Sequence, residues 1–256
     1  MKIVSWNVNS LKVRLPALLT WMKTVKPEII ALQETKLVDA EFPMSAFTEL
    51  GYHAYCSGQK TYNGMALITR DNPCSEIVVD MPQFADIQRR LLAATWNGYR
   101  VINVYVPNGS ELTSEKYQYK LAWLAAFEKF MQDQLAKYEK VIVLGDFNIA
   151  PTDLDVHDPK IWQNCVLVSE PERSALQKIV NLGLKDLYRE IKPTGQDFTW
   201  WDYRAGAFRR NNGLRIDLVL ASLPLLSSAQ DYWIDKTVRA DERPSDHAPV
   251  VVEFLE

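Results

Sequence analysis

Cysteine and histidine are scarce in this chain, with three of each among 256 residues. Cys56, Cys74 and Cys165 have no paired spacing, which argues against a disulfide framework and leaves reduced thiols as the expectation. His53, His157 and His247 are equally scattered, which argues against a zinc centre. No apolar stretch approaches the roughly 20 residues that a membrane span needs. The first residues lack the charged-then-apolar order of a signal peptide, so a cytoplasmic enzyme without membrane contact is expected. There is no basic excess either. Lys and Arg number 29 against 32 Asp and Glu, for a net charge of −3. Nucleic-acid binders are more often basic, but an acidic metal site adds negative charge locally, so the total is a weak test. Low-complexity linkers, repeats and composition breaks are also missing, and a single monomeric domain over residues 1–256 is expected. That length suffices for a large core. With 47% apolar and 24% charged residues, the composition is that of an ordinary globular protein.

What the chain does contain is a set of short apolar runs bounded by polar residues. Val141–Leu144 leads into Gly145-Asp146-Phe147-Asn148. Lys2–Trp6 leads into Asn7, and Ile29–Leu32 into Gln33-Glu34. Asp217 precedes Leu218-Val219-Leu220, and Ser245-Asp246-His247 precedes Val250-Val251-Val252. Strands ending this way push oxygen- and nitrogen-bearing side chains out of one sheet edge. There they can converge on a hard cation and a phosphate. Between the runs lie helical patterns, so an α/β layered fold is expected. Ser10 reads as the cap of a helix with Leu18, Leu19, Trp21, Met22 and Val25 inward, stopped by Pro27. A long helix reads from Ser114 to Lys137, with Leu121, Leu124, Phe127, Phe130, Met131 and Leu135 inward. Another follows Ser169, with Glu172 completing a capping box and Gly183 at C′. Asn97-Gly98 between Leu91–Trp96 and Tyr99–Val106 signals a hairpin, so the sheet is not all parallel. Consecutive apolar positions in several strands suggest burial on both faces. Two packed sheets covered outside by helices satisfy that pattern.

Each candidate residue has an ordinary role beside the functional one. Glu34 alone reads as a solvated loop acid, and Asp146, Asn7, Asn9 and Asn148 as turn residues. Phe198, Trp200 and Trp201 read more readily as core than as a stacking surface. Asp217 differs, because an acid inside an apolar strand is costly unless paired. His247 is its natural partner, since a bracing carboxylate fixes the tautomer and raises the imidazole pKa. Arg204, Arg209, Arg210 and Arg215 fall in one stretch with almost no acid and read as a local basic surface.

Together, Ser5–Leu11, Leu32–Lys36, Asn103–Gly109, Gly145–Pro151, Gly213–Asp217 and Ser245–Pro249 make the chain resemble the exonuclease III / AP endonuclease family of DNA-repair nucleases. The resemblance implies a four-layered α/β sandwich, two mixed sheets face to face with helices outside. It also implies a divalent-metal-dependent phosphodiesterase, using Mg2+ with Mn2+ as the alternative. Its substrate would be double-stranded DNA with abasic sites or damaged or recessed 3′ ends. Residue by residue, it makes Glu34, helped by Asn7, the main metal ligand, with Asp246 a further acid nearby. Asp146 would orient or deprotonate water, and Asn148 would hold that water and the transition state. His247, braced by Asp217, would bind the scissile phosphate, which the Tyr105 phenol would also contact. Asp146, Asn148 and His247 are thereby also candidates for the metal surroundings. DNA contacts are expected from Asn9, Lys36, Asn108, Trp200, Arg209, Asn211, Leu214 and His247, with Trp200 and Leu214 walling a sugar pocket that Cys165–Val168 approaches. Bulk in that segment would exclude an extruded abasic nucleotide and leave 3′-end processing intact. Two other readings keep the fold: a phosphodiesterase of lipid or inositol phosphates, and a nucleic-acid-binding regulator without catalysis.

Overall fold

Residues 1–255 are described by a computed structural model, which places twelve strands in two six-stranded sheets. The first sheet holds β1 (Lys2–Asn7), β2 (Ile29–Gln33), β3 (Tyr52–Ser57), β4 (Met65–Arg70), β11 (Ala229–Ile234) and β12 (Val250–Phe254) in the order β11-β12-β1-β2-β4-β3. The second holds β5 (Ser75–Val79), β6 (Leu91–Trp96), β7 (Tyr99–Tyr105), β8 (Val141–Asp146), β9 (Leu184–Asp186) and β10 (Asp217–Ser222) in the order β5-β6-β7-β8-β10-β9. The two sheets share one pairing pattern. A central parallel pair, β1/β2 in one and β7/β8 in the other, is flanked on both sides by antiparallel neighbours. Parallel neighbours need a crossover. Helices Leu11–Val25 and Glu115–Lys137 supply the two.

The consecutive apolar residues are explained by alternation between two cores. Ile3, Ile29, Ala31, Ile142, Leu144, Val219 and Val250 point between the sheets and form one cluster. Val4, Ile30, Leu32 and Val251 point outward onto Leu18, Trp21 and Met22 of the first helix. Val141, Val143, Leu218 and Leu220 point outward on the second sheet, onto Trp123, Phe127, Met131, Leu176 and Ile179. The result is helix, sheet, sheet, helix: the expected four-layered α/β sandwich. No helix among the described residues is long and apolar enough to cross a membrane.

Local expectations hold with instructive exceptions. Asn97 and Gly98 both take positive φ, 47° and 81°, as a two-residue hairpin requires. Ser114 caps its helix by accepting a hydrogen bond from the Tyr117 N–H, and Ser169 with Glu172 forms the capping box. The inward face of helix Glu115–Lys137 is wider than its hydrophobic period suggests. Tyr117, Lys120, Trp123 and Gln134 are buried, while Leu121 and Leu135 are half-exposed at its margins. Ser10 makes no capping hydrogen bond, because its backbone sits at φ 92° and ψ 103°. Instead the Ser10 and Leu11 N–H groups donate to the carbonyls of Glu34 (2.8 Å) and Thr35 (3.0 Å), which ties this helix start to the end of β2. Gly183 lies one residue beyond C′, since Asn181 is the C-cap of helix Glu170–Val180.

Gly145 sits within β8 at φ 149°, and a Cβ there would lie 1.9 Å from the Val104 carbonyl oxygen. That backbone contact cannot yield, unlike the open space around Gly98. Gly145→Ala should therefore cost more than about 4 kcal/mol, with Gly98→Ala nearer about 1–2 kcal/mol, as read by urea unfolding.

Candidate active site

The C-terminal ends of the two parallel pairs place the polar residues. Tyr105 ends β7 opposite Asp146 at the end of β8, and Asp217 opens β10 on the other side of Asp146. Asn7 and Gln33 end β1 and β2 side by side. Polar side chains buried between the sheets fix their relation. The Gln33 Nε2 donates to Asn103 Oδ1 (2.8 Å), and Asn103 Nδ2 donates to the carbonyls of Leu32 (3.0 Å) and Ala66 (2.9 Å). The loop before β12 is tied down by Ser245 Oγ, which donates to the Asn7 carbonyl (2.7 Å), and by Trp6 Nε1, which donates to the His247 carbonyl (3.2 Å).

These constraints gather Glu34, Tyr105, Asn108, Asp146, Asn148, Trp200, Asp246 and His247 around one cavity of about 320 Å3. Asn9, Glu34, Lys36 and Asn148 all hold left-handed φ between 43° and 57°, the kind of backbone that survives only where its surroundings fix it. Asn7 Nδ2 donates to both Glu34 Oε1 and Asp146 Oδ2, each at 2.9 Å. Its own side-chain oxygen accepts from the Asn9 N–H (3.0 Å) and keeps a second lone pair, so Asn7 ties the two carboxylates to the turn that follows β1. Tyr105 Oη donates to Glu34 Oε1 (2.8 Å), with the Arg90 guanidinium 4.6 Å over its ring. Asn148 donates to the Val106 carbonyl through Nδ2 and accepts from Asn108 Nδ2, both at 3.0 Å. Its backbone N–H donates to Asp146 Oδ1 (2.9 Å). His247 has Nδ1 against Asp217 Oδ2 (2.8 Å) and Nε2 3.7 Å from Asp146 Oδ2. Asp246 accepts from Asn9 Nδ2 (2.9 Å) and Trp200 Nε1 (3.0 Å).

Burial and mutual charge divide the acids. Burial alone would raise Glu34, but the Lys36 charge and donors from Asn7, Lys36 and Tyr105 leave its carboxyl below the ordinary value. Asp246 is likewise held low against burial, by the His247 charge and by Trp200 and Asn9. Asp146 goes the other way. Burial first, then the nearby Asp217 and Glu34 charges, outweigh His247 and Asn7 and raise it to about 7. His247 is raised to about 10. Burial opposes its charge, but Asp217 and then Asp146 overcome that.

A divalent cation fits this donor set. Glu34, Asp146 and Asp246 all face the same cavity, while the ligand atoms of Asp146, Asp217 and His247, within 4.8 Å of one another, form the acid–imidazolium set beside it. The crowding that raises Asp146 is what a bound cation would relieve. Oxygen donors of this kind suit hard divalent ions.

Some expected residues lie elsewhere. Leu214 is fully buried, packed with Ala150, Val156, Leu167 and Ile216, so it cannot wall the cavity or touch DNA as placed. Ile216, Leu167, Val166 and Trp162 line the cavity in its stead. Trp162 went unforeseen, although Asp158-Pro159 before it is a helix-start signal. Arg215 is no part of a basic surface. It is fully buried against Asp155 (2.6 Å) and Asp186 (2.7 Å). Arg209 and Asn211 are exposed but outside the cavity lining, and Asn211 Oδ1 accepts from Trp201 Nε1 (3.2 Å). Lys36 and Asn9 sit just behind Glu34. Lys36 Nζ is 2.9 Å from Glu34 Oε2 and donates to Asn9 Oδ1 (2.5 Å).

Carboxylates, amides and one imidazole gathered over the facing ends of two sheets define a hydrolase of phosphate esters. Comparison with known proteins narrows the class. Residues 4–247 match the Endonuclease/Exonuclease/phosphatase family, and the chain belongs to it, in the exonuclease III / AP endonuclease group of nucleases. The exodeoxyribonuclease III of Haemophilus influenzae is 36% identical over 268 residues, spanning 99% of this chain and 100% of its own. The 3′ phosphatase NExo from Neisseria, solved with a product DNA hairpin, is 45% identical with a TM-score of 0.98 and full coverage of both chains. An AP endonuclease from Archaeoglobus fulgidus is 38% identical with a TM-score of 0.96, over 99% of each chain.

In metal-free protein, His247 should keep its proton well past pH 8 and titrate near 10 by NMR, where an ordinary imidazole titrates at 6.5. Because the folded value is raised, the stability this pair contributes is complete below about 6.5 and fades as pH rises toward about 10. Asp217→Asn should move the titration down and weaken that pH dependence.

Proposed function

We propose that this protein is a Mg2+-dependent DNA-repair phosphoesterase acting on blocked 3′ ends of duplex DNA, with removal of a 3′-phosphate favoured over cleavage at internal abasic sites. The observation that carries the reading is the shape and chemistry of the cavity at the sheet ends. Its polar floor consists of Glu34, Asp146, Asn148 and His247, and its apolar side of Trp162, Val166, Leu167, Trp200 and Ile216. Trp162 and Trp200 meet edge to face with ring centroids 6.3 Å apart, which adds bulk where an extruded abasic sugar would need room. Likeness to a 3′ phosphatase over the full length of both chains points the same way.

The chain's own residues account for the chemistry. The His247 imidazolium, fixed by Asp217, donates through Nε2 to a phosphate oxygen and offsets charge that builds as the ester breaks. Asn148 and Asn108, which also line the cavity, add neutral side-chain amides. Asp146, kept ionised by the His247 charge and by a cation when one is bound, accepts the proton of an attacking water. Its neighbours Asn7 and the Asn148 N–H hold its two oxygens in place, so it needs no reorganisation. The Tyr105 phenol, raised well above its ordinary pKa by burial and then by Glu34 and Asp146, stays protonated as a donor. Glu34 and Asp246 are the carboxylates that would hold a divalent cation, which when bound supplies positive charge against the phosphate oxygens.

Labelled duplexes bearing a 3′-phosphate, an internal abasic site or a plain recessed end should be processed in that order of rate in Mg2+, and EDTA should stop all three. Cleavage of the abasic duplex ahead of the 3′-phosphate would reverse the proposed preference. Asp146→Asn should lower kcat by about 10²–10⁴-fold while DNA affinity by gel shift is retained. Near-normal turnover in that variant would remove Asp146 from the mechanism.

A further inference from the structure

Lys120 and Glu172 form an ion pair at 2.5 Å with both side chains fully buried, between helix Glu115–Lys137 and helix Glu170–Val180. Burying two charges is expensive unless every remaining donor and acceptor is used. Here they are used, and the bonds to Asn108, Asn148 and Leu167 reach residues that line the cavity. Besides Glu172, Lys120 Nζ donates to the carbonyls of Asn148 (2.7 Å) and Asn108 (3.1 Å). Those two residues interlock through their side-chain amides across the same wall. Glu172 faces the other side. Its Oε1 accepts from the Leu167 N–H (3.0 Å), and its Oε2 accepts from the Ser169 N–H (3.0 Å) and hydroxyl. Leu167 carries φ 73° and lines the cavity with Val166. A single backbone bond, from Ala150 N–H to the Leu167 carbonyl (2.7 Å), joins the same two loops.

We propose that the Lys120–Glu172 pair is a positioning device that sets the span between the Asn108/Asn148 wall and the Val166/Leu167 wall, and so decides which 3′ group the cavity accepts. The assignment rests on the phosphoesterase reading above. Neither residue lines the cavity, and neither touches substrate. Lys120 holds two carbonyls with a charge that no apolar side chain replaces, and Glu172 anchors the opposing loop to that same charge. Without the pair, the two loops keep the Ala150–Leu167 bond but lose the common anchor that fixes their separation.

Lys120→Met alone strands a buried carboxylate and should lower Tm. The double variant Lys120→Met with Glu172→Gln removes both charges and keeps one oxygen to accept an N–H, so Tm should recover in part. Its kcat on the 3′-phosphate duplex should still fall by about 10²-fold, the size expected for a displacement of about 1 Å near reacting atoms, with KM changed less than about threefold. The ratio of 3′-phosphate removal to abasic cleavage should change as well. In metal-free protein, the side-chain amide NMR signals of Asn108 and Asn148 should shift in the double variant while that of Asn103, between the sheets, stays put. A double variant with wild-type kcat, unchanged substrate ratio and unshifted amides would overturn the assignment and leave the pair a packing element. Wild-type protein inert on every duplex would remove the substrate reading, and the amide signals would still decide this one.

Discussion

Negative charge is crowded where the two sheets meet, and the rest of the site follows from that crowding. Glu34 and Asp246 face the cavity that Asp146 closes from below, and Asp217 stands directly beside Asp146 in the next strand. Folding must hold these acids near one another against their repulsion, and the means are specific. Lys36 and two neutral donors keep Glu34 ionised. Asp217 is matched by an imidazolium. Asp146 is left as the one carboxyl whose charge is poorly compensated, which places its proton affinity near neutrality. A group in that state is a proton acceptor at working pH and also a place where a cation gains the most.

The architecture that produces the crowding is a repeated one. Each sheet has a parallel pair at its centre joined by a helix, and each pair ends at the same rim. One delivers Asn7, Gln33 and Glu34, and the other Tyr105 and Asp146. Ligands of open α/β sheets gather beyond the carboxyl ends of parallel strands because the crossover leaves that edge free of packed side chains. Here two such edges face one another, and Gln33 and Asn103 fix their separation with bonds buried between the sheets. Those two side chains belong to the same sequence blocks as Glu34 and Tyr105, so each block carries both a functional group and the group that sets its distance from the other sheet.

Much of this was legible in the sequence because it is local. Strands ending in acids and amides, the Asn-Gly hairpin and the Ser169/Glu172 capping box each depend on a few neighbouring residues. The layered fold was legible too, since only burial on both faces explains apolar residues at consecutive strand positions. What stayed hidden depends on partners far along the chain. Arg215 reads as surface charge until Asp155 and Asp186 are seen around it. Lys120 reads as an exposed helix lysine until Glu172 arrives from another helix. Leu214 and Ile216 lie on the same side of one extended segment, and only the tertiary structure shows that Trp200 and Val156 cover the former while the latter reaches the cavity. Ser10 misled for a different reason. Its backbone follows the Glu34 loop and so cannot adopt the geometry of a helix cap.

Poorly compensated charge on Asp146 should make this rim a divalent-cation site. Calorimetric titration of Mg2+ into the metal-free protein at pH 7, in buffers of different ionisation enthalpy, tests it directly. Binding should release protons at neutral pH, because the cation displaces the proton that burial and neighbouring acids hold on Asp146, and the release should vanish in Asp146→Asn. Cation binding with no proton release in the wild-type protein, or no binding at all, would contradict it.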